Sequence, residues 1–100
     1  MISKIFNTSF ESAFLDCKNI LTHNKCEIVS TNFAEGEINA KKNGSLFSYG
    51  HEIKILLEKI GTEHTNITIT SNSVGIQIID WGTNVENENE IMKKLLNTIV

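Results

Sequence analysis

Cys17, His23 and Cys26 are the only group in this sequence whose types and spacing resemble a set of metal ligands. A structural zinc takes four ligands in a tetrahedron, drawn as a rule from two close pairs. This stretch has no CxxC pair and no fourth ligand nearby. Cys17 also falls on the apolar stripe of a helix, where a small thiol packs well. A core cysteine and a solvated helix-end histidine are therefore expected, with no metal and no cofactor. Nucleophilic catalysis needs Cys or Ser beside a positioned His and an orienting acid. His51 opens one strand and His64 opens its partner, too far apart along the hairpin for a dyad, and each is expected at the surface or at a strand end. Glu35 and Glu37 flank Gly36 on one strand face, opposite to Ile38 and Ala40, which places them in solvent rather than in an acid–base pair. Glu86 and Glu90 repel slightly across one helical turn, while Glu90 and Lys94 attract. The oxygen-ligand spacing of a calcium loop is missing, and the glycines form no nucleotide cradle. These residues point away from an enzyme.

The most distinctive stretch is Asp80-Trp81-Gly82-Thr83-Asn84. A structural corner accounts for it: Trp81 covers the core edge, Gly82 turns the chain, Asn84 caps the following helix and Asp80 fixes a backbone donor. The alternative is an aromatic wall of a ligand groove or an interface anchor. The corner is the favoured reading, since tryptophan is usually recruited for its large buried area. Trp81 and Asp80, with Tyr49 and His51 at the opening of a strand, are the candidate ligand- or partner-binding residues.

Composition narrows the partners. The chain has 100 residues, 40% of them apolar and 21% charged, enough for one domain with one core. Its formal charge is -3. The basic residues are all lysine. Arginine is the usual two-pronged reader of phosphate and guanine edges, so its absence argues against specific nucleic-acid binding. The start, Met1-Ile2-Ser3-Lys4-Ile5-Phe6, has no long apolar segment of an export signal. No run approaches the roughly 20 apolar residues of a membrane helix. A reducing, cytoplasmic compartment with free Cys17 and Cys26 is expected.

The elements that hold these residues follow from periodicity. Thr8 with Glu11 three residues later makes a capping box. Phe10, Ala13, Phe14, Cys17, Ile20 and Leu21 then share one helical face. Asn24 is the expected stop. Two hairpins follow. Cys26 to Thr31 and Glu35 to Lys42 read as strands around residues 32–34, and that odd loop length sets Ile28 opposite Ile38. Tyr49 to Ile60 pairs with His64 to Ser71 around Gly61-Thr62-Glu63, so that Leu57 faces Ile67 and Ile55 faces Ile69. A short strand is expected over Gly75 to Asp80, and Ile2 to Phe6 can add an edge strand. A second helix runs from near Asn84 to Thr98. Its acidic first half and basic second half suit the helix dipole, and Ile91, Met92, Leu95, Leu96 and Ile99 form its apolar stripe.

Gly36-Glu37-Ile38-Asn39-Ala40, Gly50-His51-Glu52-Ile53 and Asp80-Trp81-Gly82-Thr83-Asn84, in this order, resemble a class of small bacterial βαββββα modules known as domains of unknown function, some free-standing and some behind a lipoprotein signal. The resemblance spans nearly the whole chain and implies a fold; it carries no catalytic residue. Those modules often have a lysine between the Gly and Asn of the last motif, where Thr83 stands here.

The expected architecture is α+β: four or five antiparallel strands with two helices on one face, Phe14, Ile55, Ile69 and Leu95 sharing the interior. The expected function is a non-enzymatic binding or protein-interaction module, able to self-associate through a sheet edge or face. The alternative is a carrier of a small apolar ligand in a groove between helices and sheet near Trp81.

Overall fold

A computed structural model describes residues 1–42, 50–73 and 83–99. Their elements, in chain order, are β1 (Ile2–Phe6), α1 (Phe10–His23), β2 (Cys26–Asn32), β3 (Glu37–Lys42), β4 (His51–Ile60), β5 (His64–Ser73) and α2 (Thr83–Thr98). The strands form one antiparallel sheet in the order β1-β5-β4-β3-β2. The expected strand over Gly75 to Asp80 lies outside the described residues.

Strict alternation builds the sheet. In β4, His51, Ile53, Ile55 and Leu57 are buried, while Glu52, Lys54, Leu56 and Glu58 are exposed. Thr65, Ile67, Ile69 and Ser71 of β5 turn to the same inner face. Both helices cover that face. Ala13, Phe14, Cys17, Ile20 and Leu21 of α1 meet Ile91, Met92 and Leu95 of α2 over the strand isoleucines in one core. Phe14, Ile55, Ile69 and Leu95 all belong to it. Each fully buried Ile or Leu contributes about 2 kcal/mol through its removal from water. Among the described residues, no helix is long and apolar enough to cross a membrane.

Local chemistry shifts several boundaries. The cap of α1 is Ser9, whose side chain accepts the Ser12 N–H at 3.3 Å. Thr8 is drawn away instead: its carbonyl accepts the hydroxyl of buried Thr65 at 3.0 Å. Asn24 does cap the C-terminus, with its N–H on the Ile20 carbonyl at 3.0 Å, but the left-handed residue is Lys25, at φ 62°. Helix α2 already includes Thr83, so Asn84 lies in its first turn rather than at its cap.

The β4–β5 hairpin has the expected register, Leu57 opposite Ile67 and Ile55 opposite Ile69. The β2–β3 hairpin differs. Its turn spans residues 33–36 and a bulge at Val29 adds one residue to β2, so Ile28 faces Ala40 and not Ile38. Four loop residues would reverse the face on their own; the extra bulge residue restores it and slides the pairing by one pleat. Gly36, expected inside the strand, sits in this turn at φ 67°. The turn is pinned to α1 by Phe33, whose ring meets Phe10 and Phe14 edge-on at 5.2 and 5.1 Å between centroids.

Candidate functional site

The inner face of the sheet changes character towards one end. Across β2, β3, β4 and β5 the pairing lines up Cys26, Lys42, His51 and Ser73 in one row, and Ile28, Ala40, Ile53 and Ser71 in the next. The alternation that buries isoleucines elsewhere thus carries Lys42, His51 and Ser71 inward here. His51 opens β4 as expected, but it is buried, 4% exposed, not at the surface. Facing this row, α2 extends its apolar stripe backwards by one turn. Asn87 and Glu88 lie three or four residues before Ile91 and Met92 and are buried with them.

Burial of these groups is offset by bonds. Lys42 Nζ donates to Asn87 Oδ1 at 3.2 Å, and Asn87 Nδ2 donates to Ser71 Oγ at 3.4 Å. Glu88 Oε2 accepts the backbone N–H of Ser71 at 2.9 Å, and Glu88 Oε1 lies 2.7 Å from the Met1 amino group. Ser71 sits one pleat beyond the last β1–β5 pair, Ile2 with Ile69. There the Glu88 carboxylate accepts the strand N–H as a carbonyl does elsewhere in the sheet. By charge alone Glu88 is one of three surface acids in the first half of α2. Its position on the stripe of Ile91, Met92 and Leu95 is the signal that it turns inward.

Cys26 and His51 stand two strands apart, about 10 Å, beyond hydrogen-bond reach. Burial pushes the Cys26 thiol up, partly opposed by Lys42. A nucleophilic thiol needs the opposite shift. Cys17 is fully buried on α1, and burial, reinforced by Asp16, raises its thiol from 9.0 to about 12. His23 is exposed at the end of α1, its Nδ1 2.8 Å from the Asn19 carbonyl, so Cys17, His23 and Cys26 do not converge. Among the described residues, no three His, Cys, Asp or Glu side chains are placed to hold a metal ion.

Folding holds the Cys17 proton more tightly than the unfolded chain does. Its stabilising contribution is complete below about pH 9 and is lost as pH rises towards 12. The expected slope is on the order of 1 kcal/mol per pH unit in that window. Urea midpoints at increasing alkalinity for the native chain and Cys17→Ala check this; parallel curves would assign the loss to other groups.

The remaining candidates separate. Glu35 lies in the β2–β3 turn, exposed, its N–H on Asn32 Oδ1 at 3.2 Å, and so does not share a strand face with Glu37. Glu37 lies on the outer face. The Asn39 amide at 2.9 Å, and then Lys54 at 3.6 Å, hold its carboxyl below the usual range. His64 is exposed opposite Ile60, at the other end of the hairpin from His51. Tyr49, Asp80 and Trp81 lie outside the described residues. No protein-family model matches this chain, and no curated protein matches it.

Proposed function

We propose that this chain is a non-enzymatic interaction module that meets a second copy of itself across the outer face of its sheet. The observation that carries this reading is the one-sided placement of the helices: among the described residues, nothing covers the opposite face. That face is patterned by charge. Glu27, Lys41 and Glu52 follow one another across β2, β3 and β4, and Lys54 lies beside Asn39 in the next outward row. Alternating signs are self-complementary under a two-fold axis, which can set Lys41 and Lys54 of one copy against Glu52 and Glu27 of the other. Five strands about 4.8 Å apart and about 25 Å long offer on the order of 600 Å² per copy. Doubled, that reaches the lower end of stable interfaces, roughly 1,200 Å².

The edges are less suited to pairing. β2 is bent by its bulge at Val29, and β1 carries exposed Lys4 on the inner-face register beside Ile67. A bulge and an inward-register charge are the two common guards of an open edge. The alternative of an apolar-ligand carrier rests on Trp81, outside the described residues. A described concavity between the helices is bordered by Asp16, Asn19, Ile20, His23, Lys94 and Asn97, and carbon makes up most of its lining, so it is a second place where such a ligand could lie.

Sedimentation at two protein concentrations tests the reading. A mass that rises towards the dimer, and falls back in Lys54→Glu, supports it. A strict monomer at both concentrations overturns it.

A further inference from the structure

We propose that the notch between the end of α1 and α2 binds a small anion bearing a phosphate group. The notch has a volume of about 520 Å³ and is lined by His23, Asn24, Lys25, Lys42, Glu90 and Lys94. In a chain of net charge -3, three of its nine basic residues meet here against one carboxylate. The carbonyl end of α1 also opens here, but a helix terminus amounts to only about half a negative charge. With Glu90 it leaves the three ammonium groups in surplus, so neutralising the helix end does not account for all of them.

The donor count points the same way. Lys94 Nζ donates to Asn24 Oδ1 and lies 4.0 Å from Glu90. Lysine can only donate, so this contact fixes the Asn24 amide with Oδ1 towards Lys94 and Nδ2 away. That Nδ2 is buried and has no acceptor among the described residues. Among the described residues Glu90 is the only carboxylate in the lining, so an incoming group that brings oxygens would pair with the ammonium groups.

Lys25 supplies an independent sign. Among the described residues it is the one non-glycine at positive φ, 62°, immediately after the α1 cap. Glycine is the economical residue at that position. Strain retained at a charged side chain in a cleft is the pattern of a functional site.

The test uses inorganic phosphate titrated at constant ionic strength, followed by amide chemical shifts. Saturable shifts confined to the backbone around Asn24, Lys25 and Lys94 are expected. Lys25→Gly removes the charge and relieves the backbone, so it should keep the unfolding midpoint while binding weakens about tenfold. A parallel arm sediments the protein with phosphatidic-acid vesicles or with neutral phosphatidylcholine vesicles. Phosphate binding without vesicle capture identifies a free anion. Capture by the acidic vesicles alone, lost in Lys25→Gly, identifies a lipid headgroup. The absence of saturable shifts together with the absence of capture overturns the proposal, as does unchanged binding in Lys25→Gly.

Discussion

Gly36→Ala is expected to lose about 3 kcal/mol of folding free energy, seen as a fall in the urea midpoint at unchanged slope. Two costs combine. Gly36 has φ +67°, where an L side chain crowds the following carbonyl. A Cβ there would also lie 2.2 Å from the Leu57 carbonyl oxygen and 3.0 Å from the Phe10 ring. Neither neighbour can easily give way. The Leu57 N–H donates to the Gly36 carbonyl at 2.7 Å, which locks the two backbones together. Phe10 is held in turn by Phe14 and Phe33. Gly61 separates the two costs: it has φ +66°, and a methyl group added there would meet nothing within 4 Å. Gly61→Ala should therefore lose only about 1 kcal/mol. Equal losses in the two variants would show that the close approach to Leu57 is not the cause.

Glu88→Ala is expected to cost about 3 kcal/mol, and Glu88→Gln about 1 kcal/mol. Removing the side chain takes away the carboxylate oxygen to which the Ser71 N–H donates and opens a void under α2. Glutamine keeps an oxygen for that N–H and fills the space, and loses only the charge towards the Met1 amino group. That pair counts for little because Met1 is 73% exposed in its side chain. Amide hydrogen exchange at Ser71 is the direct check. It should accelerate in the alanine variant and stay slow in the glutamine variant. Retained protection in Glu88→Ala would mean that the carboxylate is not what satisfies the strand.

The two hairpins show what a sequence can and cannot transmit about this fold. The β4–β5 register is legible because alternation is unbroken on both strands and Gly61-Thr62-Glu63 forms a three-residue loop. Parity then leaves one pairing that buries both faces together. For β2–β3, parity again puts the correct face inward, but the Val29 bulge and the four-residue turn compensate each other. No count of alternating residues detects two such changes of opposite effect. The α1 cap moves by one residue because Thr8 and Ser9 are both competent, and a long-range contact to Thr65 decides between them.

The polar end is less legible for a different reason. The charge of Glu88 and its place in an acidic half-helix point to the surface, although its helical phase is that of Ile91 and Leu95. The residue type of His51 points to the surface as well, although alternation with Ile53, Ile55 and Leu57 turns it inward. In both cases geometry prevails over composition, because partners are available to offset burial. The notch is not legible at all: it joins Lys25, Lys42 and Lys94, which come near one another only after α1, β3 and α2 are assembled.

During synthesis β1 leaves the ribosome ahead of every other described element, yet its partner β5 follows four of them. Ile2, Ile5 and Phe6 therefore have no edge to join until His64–Ser73 has emerged and turned back on β4. Closing so long a loop adds only modest entropy beyond that of a shorter one, but it makes the seam between the first and fifth strands a late event for a newborn chain. Lys4, set among those apolar residues, gives the waiting segment a charge that discourages premature association.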